Sequence, residues 1–479
     1  MVSKCDGGER VYGAIAEEIM KQRGKADVWA LRCGRIGKKF LVGMFAVLLA
    51  SGSVNATLDK GMTEHTLDNG LTVVVVEDHW HPLVALEVCY RVGARNDPLG
   101  KQGLSHVLEH LTFRGRGSPL AEGAGIAERS GRAHATTNHD TTCYGSTMVR
   151  DELKATLQIE AARMRTLDVS GADLAQEKTI VLRERRQLVE GDTWRNLLEE
   201  VDNAAYRLHP YRFPTSGWPE TLAQITLDDV RAQFATYYTP ANAVIVVVGD
   251  VQRQDLVTLV HDSFGAVPAR VRPTPTHFLE PAQDGERKLL FAPHAVPRLV
   301  AAYHTPPFGN PDRVALEVLT ALLAGSDNAR LLVRLYARDL AKDVGVEYNP
   351  LSHDAGLFYI KVALESRIDF QPTGEMVDDV LWRLREDGLA PGELDRTKKR
   401  LLLDFYLERG LSARASRLAQ YDLLEALPQE QRYADEIQAV TTADVQRIVD
   451  RYFSPRNRVV AVTGMARQAR ARQPIGAQP

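Results

Sequence analysis

The sequence predicts an α+β protein that consists of two homologous halves. In the first half, short β-branched runs alternate with stretches in which apolar residues recur at helical spacing. The segment that begins at Ile225 also recurs from Val440, at a constant spacing of 215 residues. A repeat of that length is the size of a domain and too long for one unit of a solenoid, so it indicates an internal duplication.

Residues 1–56 differ from the rest of the chain and have the pattern of a secretory signal. Basic residues that end with Lys39 precede an apolar run at 40–50, and small residues follow as far as Ala56. This order predicts export to the periplasm or the medium, with cleavage after Ala56. An uncleaved leader that anchors the protein in a membrane is the alternative, although the apolar run is short for a span.

The composition is that of an ordinary globular chain of 479 residues, with 44% hydrophobic and 25% charged residues. Its formal net charge is −3, and the charge becomes more negative without the leader, which holds more basic than acidic residues. Phosphate binding needs a basic face, so a nucleic-acid partner is not expected. Outside the leader lie Cys89 and Cys143, for which we expect free thiols; a disulfide is the alternative if their strands are neighbours.

The elements of the first half follow from periodicity and turn signals. A turn at Asn69-Gly70 predicts a hairpin, and four Pro among polar residues predict an interdomain linker at 267–287. The predicted strands are 64–71 with 72–76, then 84–92, two strands within 131–148 with a turn near 138–140, and 243–248. The predicted helices are 103–113, 122–130, 152–167, 173–190, 227–238 and 255–264. The domains are accordingly predicted as 57–266 and 288–466, with a flexible tail at 467–479.

The helix at 103–113 carries the motif that points to chemistry. Its apolar residues form one stripe, and His106, Glu109 and His110 lie on the other side. Positions i and i+4 of a helix lie above one another, so both imidazoles can bind one ion while the carboxylate stands beside it. This is the H-x-x-E-H pattern of inverted zincins, in which the carboxylate takes a proton from a metal-activated water. A solvent-exposed helix face that carries two His by chance is the alternative.

Two His do not complete a catalytic zinc site, which normally has three protein ligands and one open position. The third ligand is expected on another element. The segment 177–184 is the best candidate, because its two acids share one helix face. Spacing alone leaves Glu177, Glu184 and Glu190 as alternatives.

The combination of H-x-x-E-H with a later E-x-x-x-x-x-x-E resembles the inverted-zincin metallopeptidases of the pitrilysin, insulin-degrading enzyme and mitochondrial processing peptidase group. The resemblance implies that His106, His110 and Glu184 bind one Zn²⁺; Glu184 follows His110 by 74 residues, which suits that group. It also implies that Glu109 is the catalytic base and that Glu177 assists the site.

The same family has an edge strand near the metal that pairs with an extended substrate. This chain matches the pattern of that strand and its neighbour at Gly131, Ala135, Thr137, Thr142 and Tyr144. It departs at His134, where the family usually has Asn. The ring either replaces the hydrogen bond of that Asn or lies near the zinc. The resemblance therefore implies substrate contacts by His134, Ala135 and Thr137.

The repeat tests the metal site, because the second half has no donor side chains at the positions of the motif. Those positions are occupied by Ala321, Ala324 and Gly325. One zinc per chain follows.

Members of this group pair α+β domains, each a mostly antiparallel sheet packed with helices, and close like a clam around a peptide. Two domains per chain imply half of such a chamber, and therefore a dimer. The family contacts substrate through an Arg and a Tyr seven residues apart; here Tyr348 occupies the Tyr position and Ala341 the Arg position. The nearest basic residues, Arg338 and Lys342, have the wrong spacing, so we expect a heterodimer with a homologous non-metal subunit over a homodimer.

These observations predict an exported zinc-dependent endopeptidase that cleaves peptides or unfolded polypeptides. A non-catalytic or assembly subunit of the same fold is the alternative from another class, and the intact H-x-x-E-H argues against it. A zinc hydrolase of compounds other than peptides is the third hypothesis, and the substrate strand argues against that one.

Overall fold

The computed structural model describes residues 61–113, 132–187, 193–291, 296–365, 370–408 and 410–463. All of them belong to one compact unit. The predicted leader at 1–56, the helix at 122–130, Gly131, Glu190 and the tail at 467–479 lie outside the described residues.

Strands and helices alternate along the described residues. The strands are β1 Met62–Thr66, β2 Thr72–Glu77, β3 Leu83–Tyr90, β4 Arg132–Thr137, β5 Thr142–Val149, β6 Ala243–Gly249, β7 Arg287–Phe291, β8 Arg298–His304, β9 Ala341–Tyr348, β10 Leu357–Leu364 and β11 Arg458–Thr463. The helices of the first half are α1 Leu104–Phe113, α2 Leu153–Arg165, α3 Gly171–Arg185, α4 Thr193–Ala205, α5 Pro219–Gln224, α6 Leu227–Tyr237 and α7 Arg253–Phe264. Those of the second half are α8 Arg313–Ala324, α9 Arg330–Tyr336, α10 Phe370–Glu386, α11 Glu393–Leu407, α12 Leu411–Leu423, α13 Leu427–Ala439 and α14 Thr442–Tyr452.

The first half forms a six-stranded sheet in the order β1-β2-β6-β3-β5-β4. Neighbouring strands are antiparallel except β2 and β6, which are parallel. The Asn69-Gly70 turn joins β1 to β2 as predicted, and Gly70 has the positive φ that such a turn requires. β6 lies in the middle of the sheet and every one of its residues is buried, which explains its run of apolar residues.

The second half repeats this architecture in a five-stranded sheet with the order β7-β11-β8-β10-β9. The order matches β2-β6-β3-β5-β4, and β7 is parallel to β11 just as β2 is parallel to β6. The helices α6 and α14 correspond at the spacing of 215 residues, and both begin with a Thr whose hydroxyl accepts from the backbone N–H of an Asp three residues on. The predicted α+β fold and internal duplication are therefore confirmed.

Each sheet is covered on both faces, and one of the covering helices comes from the other half. One face of the first sheet packs on helices of its own half, including α1, α2 and α7. Its other face packs on α12, through Ala415, Leu418 and Ala419. In the same way, α8, α10 and α14 cover one face of the second sheet, whereas α4 covers the other through Leu197 and Val201. The halves thus exchange one helix each.

Cys89 and Cys143 form a disulfide, so the expectation of free thiols is wrong. Cys89 on β3 and Cys143 on β5 are direct partners in the register of two neighbouring antiparallel strands. Their Cα atoms are 4.1 Å apart, and both side chains leave the sheet on the same face. The sequence did not reveal that β3 and β5 are neighbours, and this adjacency decides the pairing.

No helix in the described residues is long and apolar enough to cross a membrane.

Candidate metal centre

The helix α1 presents two imidazoles side by side. Its apolar stripe, made of Leu104, Val107, Leu108 and Leu111, is buried in the core of the first half and fixes the orientation of the helix. His106 and His110 are separated by one helical turn and lie on a face of the helix away from this stripe. Their ring centroids are 4.8 Å apart. At the start of the helix, the Asp97 carboxylate accepts hydrogen bonds from the backbone N–H groups of Gly103 and Ser105, which caps the helix.

The helix α3 brings a carboxylate to these imidazoles. The Glu184 Oε2 atom lies 3.3 Å from Nε2 of His110 and 4.0 Å from Nε2 of His106. One ligand atom from each of the three residues can be chosen so that all lie within 4.8 Å of one another. Val181, which is fully buried, anchors α3 in the same core as α1. The structure therefore brings together three of the residues predicted from the sequence as metal ligands.

Glu177 contacts the other nitrogen of His110. Its Oε2 atom is 3.3 Å from Nδ1, and both side chains are buried. It lies two helical turns before Glu184 on the same face of α3, as the spacing predicted. The two acids therefore have different contacts. Glu184 faces the Nε2 atoms of both imidazoles, whereas Glu177 contacts Nδ1 of His110 only.

The electrostatics keep His106 in the form that binds metals. Burial, reinforced by the neighbouring His110, lowers the pKa of His106 to about 3. The imidazole is therefore neutral at neutral pH, and only the neutral ring has a lone pair to offer a metal. Two imidazoles and a carboxylate suit Zn²⁺, which is commonly bound in catalytic sites by two His and one Glu. Within the described residues, the second half brings together no comparable group of donors.

Glu109 lies on the same helix as the two imidazoles, and its side chain contacts the edge strand β4. Its carboxylate is buried, and Oε2 accepts a hydrogen bond of 2.8 Å from the hydroxyl of Thr137 on β4. The family resemblance predicted Thr137 on the strand beside the metal, but not its contact with Glu109. Three residues further along α1, the hydroxyl of Thr112 begins a buried hydrogen-bonded chain with those of Tyr144 and Tyr238, with O–O distances of 2.6 and 2.8 Å.

His134 points away from this group of residues. Ala135 and Thr137 face α1, so His134, which directly precedes Ala135 on the strand, lies on the opposite face of the sheet. Its Nε2 atom is 3.3 Å from Oε1 of Glu87 on β3. Of the two possibilities for His134, the structure supports the replacement of a hydrogen bond. Glu87 was missed, although an isolated acid inside the apolar run Leu83–Tyr90 was a visible signal.

The residues predicted from the second half lie on β9. Tyr348 lines a cavity of about 490 Å³ together with Asn138 and His139, the two residues that follow β4. Ala341 is buried at the start of β9. Both nearby basic residues have contacts of their own: Arg338 Nη1 is 3.9 Å from the sulfur of Met376, and Lys342 Nζ is 3.8 Å from Glu365 Oε2.

Comparison with known protein families gives two matches. The model described as Insulinase (Peptidase family M16) matches residues 72–217, which include α1 and α3. The model described as Peptidase M16 inactive domain matches residues 224–401. The second match begins before α6 and before β6, and β6 is a strand of the first sheet, so this boundary falls inside the first half.

Individual relatives agree with these matches. The chain is similar to the zinc protease PqqE of Helicobacter pylori, at 27% identity over 431 residues, which cover 87% of this chain and 96% of the relative. It is also similar to the zinc protease YmxG of Bacillus subtilis, at 26% identity over 365 residues, which cover 74% of this chain and 85% of the relative. A crystal structure of a protease from Helicobacter pylori has a TM-score of 0.80 at 27% identity, and the match covers 84% of this chain and 99% of that one.

Proposed function

This chain belongs to the M16 family of peptidases, and we propose that it is an exported zinc-dependent endopeptidase that cleaves peptides or unfolded polypeptides. The observation that carries the proposal is the meeting of His106, His110 and Glu184, which gives three donors suited to zinc. The match to proteins described as zinc proteases supports it. Under this proposal the three residues hold one Zn²⁺ per chain.

The chemistry divides between the metal and the protein. Zinc, when bound, would act as a Lewis acid that polarises the carbonyl of the scissile peptide bond. Glu109 would take the proton from the attacking water and pass it to the leaving amine. Thr137 fixes the carboxylate through a hydrogen bond to Oε2. Burial of Glu109 also strengthens its electrostatic interactions with the reacting groups.

Glu177 would act through His110. Its contact with Nδ1 would orient that ring with Nε2 on the side of Glu184 and would increase the basicity of the ring. Glu177 is therefore assigned a positioning role, rather than a direct part in the proton transfer.

The edge strand β4 is the proposed binding site for the substrate backbone. β4 pairs with β5 on one side, and no described strand pairs with its other side. An extended peptide can add a strand at such an edge, where main-chain hydrogen bonds hold it. Thr137 lies on β4 and contacts Glu109, so a peptide paired with this strand would lie next to the proposed base. His134, Ala135 and Thr137 are the proposed contacts on this strand, and Tyr348 is the proposed contact from the second half.

The proposed partner is a homologous subunit without a metal site. The position at which the family has a substrate-binding Arg is occupied here by the buried Ala341. The side chains of Arg338 and Lys342 already contact Met376 and Glu365. We propose that a second chain of the same fold supplies the missing Arg and that the two chains form a heterodimer.

Zinc content and peptide cleavage test the proposal together. The chain without its leader is stripped with a chelator, and cleavage of a mixed library of unstructured peptides is followed before and after zinc is restored. We expect no cleavage by the stripped chain, recovery with one zinc per chain, and no recovery in His110→Ala. Cleavage that survives both the chelator and His110→Ala would contradict the proposal. Zinc binding without cleavage, even beside a homologous subunit, would favour the non-catalytic alternative.

A further inference from the structure

Three residues form a row across the first sheet, on the face opposite α1. In the registers of the sheet, Gly145 on β5 is the partner of both Glu87 on β3 and His134 on β4. The middle position of the row carries no side chain, so the two outer side chains meet above it. Oε1 of Glu87 and Nε2 of His134 are 3.3 Å apart.

Gly145 is required for this contact. A Cβ atom at that position would lie 2.2 Å from Cε1 of His134 and 2.5 Å from Oε1 of Glu87. Such distances are far below ordinary van der Waals contact, so any other residue would push the two side chains apart. The glycine on β5 therefore permits an ion pair between Glu87 on β3 and His134 on β4.

Glu87 is an unusual residue for the interior of a sheet. It is 1% exposed, its Oε1 accepts a hydrogen bond of 2.5 Å from the hydroxyl of Ser416 on α12, and its Oε2 is buried without a hydrogen-bond partner among the described residues. A buried carboxylate with incomplete hydrogen bonding is costly, and an apolar side chain at such a site is often equally or more stabilising. Stability therefore does not account for Glu87.

The exposed end of the row is His134, on the strand proposed to bind substrate. The helix α12 packs on β6, β3 and β5, whereas on β4 the side chains of this face, Arg132, His134 and Thr136, are exposed. The hydrogen bond with Glu87 raises the pKa of His134 above its ordinary value, against the opposing effect of burial. The ring turns Nε2 toward Glu87, so Nδ1 of the protonated ring can donate to a second acceptor.

We propose that His134, held by Glu87, is a specificity-determining residue that selects an acidic side chain at the substrate position directly opposite it on β4. The inference rests on the proposed function, because it assumes a peptide that pairs with the edge of β4. Residues opposite one another on paired strands project from the same face, so the substrate side chain would lie beside the ring. A carboxylate there would accept the Nδ1–H hydrogen bond and would also lie near the exposed cation Arg132.

The expected effect is that of a cross-strand pair of opposite charges. Such pairs contribute about 0.2–1 kcal/mol, which corresponds to a preference of up to about five-fold over a neutral side chain. A basic side chain at the same position would be disfavoured, since it would face two cations.

Binding measurements in a variant that cannot turn over substrate test the inference without relying on catalysis. Fluorescent unstructured peptides carry a single Glu at successive positions, each matched by the same peptide with Gln. Their affinities for the zinc-loaded full chain with Glu109→Gln are measured at about pH 6, below the ordinary imidazole pKa of about 6.5. At one position we expect the Glu peptide to bind about two- to five-fold more tightly than its Gln match. That ratio should fall to about one when His134→Asn is added, because Asn keeps a hydrogen-bond donor for Glu87 and removes the charge.

Thr136→Ala is the matched control, because Thr136 lies two residues further along the same exposed face. This variant should keep the preference for Glu. The inference is overturned if no position favours Glu, if His134→Asn leaves the ratio unchanged, or if Thr136→Ala abolishes it equally. Cleavage of the same peptides by the otherwise wild-type chain separates the two claims. Failure to cleave, with the binding preference intact, contradicts the proposed function alone; cleavage without the preference contradicts only the role of His134.

Discussion

Among single residues, Glu109 has the role that a conservative substitution tests most directly. Glu109→Gln preserves the size of the side chain and removes its ability to accept a proton. We expect turnover to fall by about 100- to 10,000-fold, the usual contribution of a general base, with zinc content unchanged. Zinc analysis and peptide cleavage on the same preparation check this. Cleavage at a rate close to wild type would show that the base is another group.

The two acids of α3 should differ in their effect on the metal. Glu184→Gln removes a proposed ligand, whereas Glu177→Gln removes only the contact with Nδ1 of His110. We expect Glu177→Gln to weaken zinc binding by about 10- to 100-fold, the usual effect of losing a group that orients a ligand, and Glu184→Gln to weaken it further. Competition with a chelator of known affinity measures both. Glu190→Gln is the control; equal zinc retention in the Glu184 and Glu190 variants would exclude Glu184 as a ligand.

For single residues, the sequence predicted the members of the motif but not the contacts that support them. The i, i+4 spacing of two His is a local property, so His106 and His110 could be placed without knowledge of the fold. The hydrogen bond from Thr137 to Glu109 and the row from Glu87 to His134 join different strands. Both depend on register, which the sequence left open.

Among the elements, β3 and β5 offer a test through their disulfide. The bridge from Cys89 to Cys143 closes a loop with a sequence separation of 54 residues. Replacement of both cysteines by Ala should lower the free energy of unfolding by about 2–5 kcal/mol, because the unfolded chain regains the freedom of that loop. Denaturant titration measures the loss, and thiol titration of the unreduced, denatured chain without its leader, which holds Cys5 and Cys33, should find neither Cys89 nor Cys143 free. Two free thiols would show that the strands are not bridged.

The elements themselves were largely predictable, and their order was not. Helical periodicity predicted the helix at 227–238, which is α6, because this signal acts within a few residues. The insertion of β6 between β2 and β3 brings together segments that are far apart in the sequence. Nothing in the local pattern of Ala243–Gly249 identifies its neighbours. The adjacency of β3 and β5 is equally invisible in the sequence, and this is why Cys89 and Cys143 were wrongly predicted to be free thiols.

For the whole molecule, the missing Arg leads to a prediction about assembly. The chain purified alone, without its leader, should cleave unstructured peptides poorly. Addition of a homologous subunit that carries the Arg should raise kcat/KM by at least about ten-fold, since a hydrogen bond to a charged group contributes about 1.5–3 kcal/mol. A variant of that subunit with Lys in place of the Arg is the control, because Lys supplies the charge without the bidentate geometry. Efficient cleavage by a homodimer, with no gain from the partner, would overturn the prediction.

The exchange of α4 and α12 predicts that the halves depend on one another. Residues 57–266 produced alone would lack α12 and would expose the face of the first sheet that contains Val74, Val246 and Val248. We therefore expect this fragment to bind a hydrophobic dye and to aggregate. Coexpression with residues 267–479 should restore a soluble complex. A monomeric, cooperatively folded fragment would show that α12 is dispensable.

The same exchange bears on how the duplication arose. An ancestor with one copy of the unit would have left one face of its sheet bare and one helix without a surface to cover. Two copies related by a two-fold axis would have closed both faces at once, because each would donate the helix that the other lacked. Fusion of the genes then required only a connector, and the residues between α7 and β7 contain neither helix nor strand. By this route the ancestor would have been an obligate homodimer, and fusion would have made permanent an interface that already existed.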